Sequence, residues 1–236
     1  MSQDVPSVRR VTSREGYARW ASFYDEFENP MTAMVSHVLA ASSGDFDGAR
    51  VLEIGCGTGR NMERLFNRGI RSYTGVDDSP EMLAIAHARG AKFGSVQLEE
   101  RDLCRDWWEG LEGYDLVLVS LVLEHFEHVS TVLSDTARVA RLGASLWILE
   151  LYPERFHAGA RAHVSTGDET LVLPSHTHDA EELCAAMQMA GWSPGRTNSW
   201  CPTEAQVQEH RKLARYRDRP VLLEVWGHLA NGLREI

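Results

Sequence analysis

Apolar positions along this chain fall into two rhythms. Short, nearly unbroken runs at Arg50–Ile54, Tyr114–Ser120 and Ser145–Glu150 read as strands buried on both faces. Weaker runs at Ser72–Val76, Ser95–Glu99, Arg196–Trp200 and Val221–Trp226 predict further strands. Between them, helices are predicted near Arg60–Arg68, Pro80–Arg89, Val129–Leu142, Ala180–Ala190 and Glu204–Tyr216. Ser79-Pro80-Glu81 is a helix start, and Gly90, Gly143 and Gly191 stand where helices should end. Strands alternating with helices predict an α/β domain around a mostly parallel sheet.

The flanking segments read differently. Met1–Ser13 is expected to be a loose tail. Arg14–Asn29 is rich in aromatic residues, and Tyr17, Trp20 and Tyr24 fall at i, i+3 and i+7 on one helical face. Pro30 favours a break, and a second helix is expected over Thr32–Ala41. Residues 1–48 thus read as a tail and helical lid over the C-terminal edge of the sheet. The main domain is read as 49–236. Leu151–His178 is long for a loop and reads as a substrate-facing insertion.

Composition narrows the classes. The 236 residues carry 43% hydrophobic side chains, enough for one large core. Net charge is −10, from 34 acidic and 24 basic residues, and only Lys92 and Lys212 among the latter are lysines. The arginines are scattered without a dense stripe, which argues against a nucleic-acid partner. Cys56, Cys104, Cys184 and Cys201 include no C-x-x-C pair, so neither structural zinc nor a disulfide scaffold is expected. No apolar run reaches membrane-spanning length, and no secretory leader is evident. A cytoplasmic protein without a membrane partner is expected; a homodimer is compatible with this reading.

The chemistry is concentrated where Arg50–Arg60 reads RVLEIGCGTGR. An apolar strand runs directly into a turn with Gly55, Gly57 and Gly59, and a helical pattern follows. Glycines there let the backbone turn sharply and approach a ligand closely. About 20 residues on, Ser72–Asp78 (SYTGVDD) ends a second strand in carboxylates, where a ribose diol can be held. The pair implies a nucleoside-containing cofactor. The glycine spacing is G-x-G-x-G, not the G-x-G-x-x-G of dinucleotide sites. Glu53 precedes it, and an acidic residue suits a sulfonium and an amino-acid end better than a pyrophosphate.

Glu53 with Gly55, Gly57 and Gly59 resembles motif I of the class I S-adenosylmethionine (SAM)-dependent methyltransferases. Gly75, Asp77 and Ser79 match that family's G-x-D-x-S pattern. The resemblance covers roughly Ala49–Ala230. It implies a Rossmann-like three-layer α/β sandwich, with a seven-stranded sheet in the order 3-2-1-4-5-7-6 and strand seven antiparallel. Tyr17 to Pro30, Y-x-x-W-x-x-x-Y-D-x-x-x-x-P, is similar to the front helices of small-molecule methyltransferases, bacterial natural-product enzymes among them. That implies a small-molecule acceptor and a role in secondary metabolism such as antibiotic biosynthesis.

The resemblance also implies site roles. Glu53, Gly55, Cys56, Gly57 and Gly59 should face the methionine end of SAM. Asp77 should take the ribose diol with Asp78 as its neighbour, and Met82 should pack on the adenine. Asp102 should accept from the adenine amine and Leu103 should offer its N–H to the ring; the alternative for Asp102 is a cap on the turn that follows. Ser120, ending the fourth core strand, should border the sulfonium, and Tyr17 and Tyr24 should close over the cofactor. No N-P-P-Y or D-P-P-Y quartet occurs in SLVLEHFEHV (Ser120–Val129), which argues against methylation of nucleobase or glutamine amides.

Histidines are the candidate bases. His125 follows Ser120, and PSHTHD (Pro174–Asp179) holds His176 and His178 before a helix. A histidine titrates near neutrality and can take a proton from a hydroxyl or ammonium acceptor. His178 ranks first, then His125 and His176; the structural alternative is packing or pinning of loops. No acidic partner stands at metal-ligand spacing, so no metal is expected. Arg155, His157 and Arg161 in the insertion are candidates for binding a carboxylate. The sequence is also compatible with two other functions: a protein or peptide methyltransferase, and a SAM-binding partner without catalysis.

Overall fold

In the computed structural model, residues 7–26, 29–105, 107–166 and 169–230 are described. Phe27, Asp106, the first six residues of the expected tail and the last six of the chain lie outside the described residues.

Strand β1 (Ser7–Arg10) comes first, then α1 (Ser13–Trp20), a 3-10 turn over Ala21–Phe23, and α2 (Pro30–Ala41). Thr12 and Asn29 cap the two helices through their side-chain oxygens. The core follows as β2 (Arg50–Ile54), α3 (Met62–Phe66), β3 (Ser72–Asp77), α4 (Pro80–Gly90), β4 (Val96–Glu100), β5 (Tyr114–Ser120), α5 (Ser130–Val139) and β6 (Ala140–Leu151). Next come α6 (Pro153–His157), β7 (His163–Thr166), β8 (Glu169–Val172), α7 (Ala180–Met189), β9 (Trp192–Trp200), α8 (Glu204–Glu209) and β10 (Leu222–Leu229).

Seven strands form one sheet in the order β4-β3-β2-β5-β6-β10-β9. Strand β10 is antiparallel to both neighbours, and the pairs among β4, β3, β2, β5 and β6 are parallel. Counted from β2, this is the expected order 3-2-1-4-5-7-6. Period-two alternation sends each strand's side chains to opposite layers. Leu52, Ile54, Val117, Val119, Leu146 and Ile148 join the core under α5 and α7. Val51, Leu116, Leu118, Trp147 and Leu149 join the core under α2 and α3. The register sets Ile54 beside both Val76 and Val119, so β2, β3 and β5 end together at one edge.

The flanking segments differ from the loose tail and irregular insertion expected. Strand β1 pairs in parallel with β8, and β8 pairs with β7, giving a separate three-stranded sheet. Val11, Trp20, Ala21, Met82, Val164, Leu171 and Leu173 bury one apolar cluster between α1, the hairpin and α4. Gly16 lets α1 approach Leu173, since a Cβ there would stand 2.6 Å from Leu173 Cγ. The helix expected over Arg14–Asn29 ends at Trp20, and that over Glu204–Tyr216 breaks at His210, where the backbone leaves the helical region. Strand β6 begins at Ala140, earlier than expected, because Ala140 pairs with Tyr114.

Glu224 sits inside the apolar strand β10 with no solvent exposure. Its carboxylate accepts from the indole N–H groups of Trp147 (3.0 Å), Trp200 (2.9 Å) and Trp226 (2.8 Å), and from Asn198 Nδ2 (2.7 Å). A buried carboxylate persists only when its lone pairs are satisfied in this way. It ties β6, β9 and β10 together.

Candidate functional site

The shared edge of β2, β3 and β5 opens into a cavity of about 910 Å³, part of it open to solvent. The edge is where ligands bind in open α/β sheets. Its floor is the turn after β2. Gly55 and Gly57 have φ of +65° and +53°, which glycine adopts without strain. A Cβ on Gly55 would meet Val122 Cγ2 at 2.4 Å, whereas one on Gly57 would meet nothing within 4 Å. Gly59 does not line the cavity; a Cβ there would meet Met62 Cε at 2.9 Å.

Asp77 holds the turn in shape. Its Oδ2 accepts from the Gly57 N–H at 2.8 Å and its Oδ1 from the Ser79 N–H at 3.0 Å. Burial pushes its carboxyl up to about 6 despite these two bonds. Asp78 also lines the cavity, half-buried, and accepts no side-chain hydrogen bond among the described residues. Burial raises its pKa, and Arg14 opposes the rise.

Glu53 is buried beneath the turn. It accepts from Asn61 Nδ2 at 2.6 Å and from the Tyr73 hydroxyl at 2.6 Å, and burial lifts its pKa to about 7. This fixes the Asn61 amide so that Oδ1 is the free end. Asn61 Oδ1 and Arg60 Nε are both buried without a partner, and both residues line the cavity. An orphaned acceptor beside an orphaned cation matches the ammonium and carboxylate of an amino-acid group. Neither residue was singled out from the sequence, although both directly follow the glycine turn.

The remaining walls gather most of the expected cofactor residues. Tyr17, Tyr24, Cys56, Met82, Leu103 and Ser120 line the cavity, with Cys104 beside Leu103. Asp102 does not. Its Oδ1 accepts from the Cys104 N–H at 3.0 Å and its Oδ2 lies 3.3 Å from Arg105 Nε, so it caps the local turn. The front segment is tied down through Asp25, which accepts from Thr58 Oγ1 (3.0 Å) and Arg89 Nη2 (2.7 Å).

The histidines separate in space. His125 lines the cavity, and its Nδ1 lies 2.8 Å from the Pro174 carbonyl oxygen. A carbonyl only accepts, so Nδ1 carries a proton; in the neutral ring Nε2 is then the acceptor for the Tyr17 hydroxyl at 2.8 Å. His178 is buried and away from the cavity. Its Nδ1 bonds Glu182 Oε1 at 2.9 Å, and its Nε2 bonds the carbonyls of Phe126 (2.8 Å) and Leu123 (3.2 Å). Both nitrogens are spent pinning the loop after β5 to α7. His176 meets that loop through its backbone N–H, which donates to the Glu124 carbonyl at 2.7 Å. The three do not form a metal-competent cluster among the described residues; the one such trio, His37, Glu209 and His210, lies elsewhere.

A second cavity of about 1950 Å³, also open to solvent, lies on the other side of Tyr17, Tyr24 and Leu121, which line both. Trp20, Met31, Leu151 and Tyr216 give it an apolar wall, and Glu124, Arg155 and Arg161 give it charge. Leu121 has φ +54°, an uncommon conformation for a leucine, at the junction between the two. The strain is held by Glu150, whose Oε1 accepts from the N–H groups of Val122 and Leu123 at 2.8 Å each. Burial pushes Glu150 up to about 8. His157 is exposed and lines neither cavity.

Residues 51–143 match the family described as a methyltransferase domain. The chain is 27% identical over 181 residues to the ubiquinone biosynthesis O-methyltransferase of Sodalis glossinidius, covering 74% of this chain and 71% of that one. To the enzyme of the same name from Xanthomonas oryzae pv. oryzae it is 30% identical over 155 residues, covering 63% of this chain and 62% of the relative, so it spans somewhat less than two thirds of that protein. Among solved structures it is similar to an S-adenosylmethionine-dependent methyltransferase from Mesorhizobium loti, with a TM-score of 0.64 at 20% identity over 92% of this chain and all of the other.

Proposed function

From the premise that this chain belongs to the class I S-adenosylmethionine-dependent methyltransferases, we propose that it methylates a hydroxyl oxygen on a small aromatic acceptor. The observation that carries this reading is Tyr17, whose ring is common to both cavities and whose hydroxyl reaches His125 Nε2 at 2.8 Å. The first cavity is read as the cofactor site and the second as the acceptor site. The O-methyltransferase names of the relatives support an oxygen acceptor. Trp20, Met31, Leu151 and Tyr216 support an aromatic one. The front-segment resemblance supports a place in secondary metabolism, and four free cysteines support the cytoplasm. No described helix is long and apolar enough to cross a membrane.

The residues divide the work. Gly55 and Gly57 admit the cofactor against the backbone, Arg60 and Asn61 take its amino-acid end, and Asp77 and Asp78 face its ribose. Met82 and Leu103 flank the base. When bound, S-adenosylmethionine supplies an electrophilic methyl on its sulfonium, and a hydroxyl that accepts it must shed a proton. Tyr17 is the residue placed to receive that proton while passing its own to His125 Nε2. Burial raises the Tyr17 pKa well above its ordinary value, so the phenol stays protonated until its neighbour takes the proton. Alignment of donor and acceptor supplies the rest of the rate.

The test is methyl transfer from labelled SAM into a panel of phenols, amines and short peptides, with product mass located by fragmentation. Label on a ring oxygen is the expected result. Label only on nitrogen or on peptides would overturn the hydroxyl reading.

A further inference from the structure

Four arginines line the second cavity of a chain whose net charge is −10. They arrive from separate segments: Arg155 from α6, Arg161 from the approach to β7, Arg215 from the turn Arg211–Tyr216, and Arg219 from the approach to β10. Two stack on one ring: the guanidinium of Arg155 lies 4.0 Å from the Tyr216 centroid and that of Arg215 lies 4.7 Å from it. Arg161 lies 3.5 Å over the Phe156 ring and donates through Nη1 to the carbonyls of Phe156 and Ala160. Stacking fixes a guanidinium plane and leaves its N–H edge for a ligand.

None of the four forms an ion pair among the described residues. Arg161, Arg215 and Arg219 are exposed, and solvation would account for them alone. Arg155 is different. Its Nε and Nη1 are buried and have no hydrogen-bond partner. Buried charged donors are costly when unpaired, so this pair asks for an acceptor. Nε–H and Nη1–H lie on different edges of the guanidinium, so each would meet its own acceptor oxygen of a carboxylate or phosphate group.

The geometry points to an anion-binding subsite: the acceptor carries a carboxylate or phosphate group, held by Arg155 with Arg161, Arg215 and Arg219 around it. This rests on reading the second cavity as the acceptor site. The aromatic wall at Trp20 and Tyr24 then takes the body of the acceptor, and the arginines set which end points away from Tyr17. Selectivity follows from charge: Glu124 shares the cavity and feels Arg155 electrostatically but takes no hydrogen bond from its Nε or Nη1, and a neutral amide offers those donors one uncharged carbonyl oxygen where an anion offers charged ones.

The probes are 3,4-dihydroxybenzoate, 3,4-dihydroxyphenylphosphonate and the neutral 3,4-dihydroxybenzamide, with homologues of longer side chain. Each is titrated by calorimetry into protein saturated with S-adenosylhomocysteine. An anion should bind about 10- to 100-fold tighter than its amide, as expected for hydrogen bonds to a charged group. Arg155→Met should erase that preference by weakening the anions far more than the amide, and Arg155→Lys should retain part of it. If R155M does not fold, the paired Arg215→Met and Arg219→Met change should reduce the preference instead. The stronger of the carboxylate and phosphonate arms identifies the natural group. Equal binding of anions and amide, no binding by any probe, or a preference that survives these changes would overturn the subsite. Anion-selective binding without methyl transfer to any ring oxygen would sink the hydroxyl reading and leave the subsite standing. Methyl transfer without charge preference would do the reverse.

Discussion

The Tyr17 hydroxyl stands 2.8 Å from His125 Nε2, across 108 positions of sequence, and joins the front helix to the loop after β5. The ring contact is edge-on, with centroids 5.4 Å apart. Because the Pro174 carbonyl fixes the tautomer of the neutral His125 ring, that form takes the hydrogen bond in one direction, from tyrosine to histidine.

That direction makes the pair a proton path, and it predicts how variants should behave. His125→Ala should lower the methyl-transfer rate by about 10²–10⁴-fold, the usual worth of a positioned base. SAM affinity should change far less than the rate, since His125 lines the cofactor cavity with both ring nitrogens already bonded to protein groups. Tyr17→Phe should lower the rate to a similar extent, and the double variant should be no worse than either single one. Single-turnover kinetics with separate SAM titrations checks this. Rates within a factor of about two of wild type would leave alignment alone as the source of catalysis.

His178 should behave otherwise. Its ring bonds both Glu182 and two loop carbonyls, so its removal leaves buried carbonyls unpaired. His178→Ala should lower stability by about 1–3 kcal/mol. Any loss of rate should be recovered by conditions that restore folding. Denaturant unfolding beside activity measured on the folded fraction decides it; normal stability with a collapsed rate would return His178 to the chemistry.

The contrast between these histidines shows where sequence stopped being informative. Local periodicity and glycine spacing were enough for β2, β3 and the turn between β2 and α3, because that chemistry is encoded within neighbouring residues. Which histidine meets Tyr17 depends on contacts more than a hundred positions apart, and no local pattern carries those. The pairing of β1 with β8 was invisible for the same reason: Ser7–Arg10 is exposed and, but for Val8, polar, and becomes a strand only because the hairpin offers it an edge. Glu224 gave no signal within an apolar strand, since two of its three indole partners, Trp147 and Trp200, come from other strands. Asn61 and Arg60 were legible in principle, as polar residues at the start of the helix after the turn, but their orphaned atoms appear only in three dimensions.

Two neighbouring carboxylates should separate under mutation. Asp77 bonds the backbone of the glycine turn, whereas Asp78 faces the cavity with its oxygens free of side-chain donors. Asp77→Ala should cost both stability and SAM affinity, the latter by about 1–3 kcal/mol. Asp78→Ala should weaken SAM binding while leaving the unfolding midpoint nearly unchanged. Calorimetric titration with SAM and thermal unfolding of the two variants separates the roles. An unchanged SAM affinity in D77A would remove Asp77 from the cofactor site, and the same result in D78A would remove Asp78.

Glu150 predicts a pH dependence whose sign is fixed. Its pKa rises from 4.5 to about 8 because the folded protein buries it. Between these values the folded state binds more protons than the unfolded chain, so stability falls as pH rises. The contribution is fully present below about pH 4.5 and is lost by the time the pH passes about 8. Glu150→Gln keeps a carbonyl oxygen to accept from Val122 and Leu123 but cannot ionise. The stability of E150Q relative to wild type should therefore increase from about pH 5 to about pH 8 and level off above it. Urea unfolding across that range gives the difference directly. Because Glu53 and Asp77 titrate in both proteins, their contributions cancel in the comparison. A difference that stays flat across the window would mean that Glu150 holds the Leu121 turn as a carboxylate throughout.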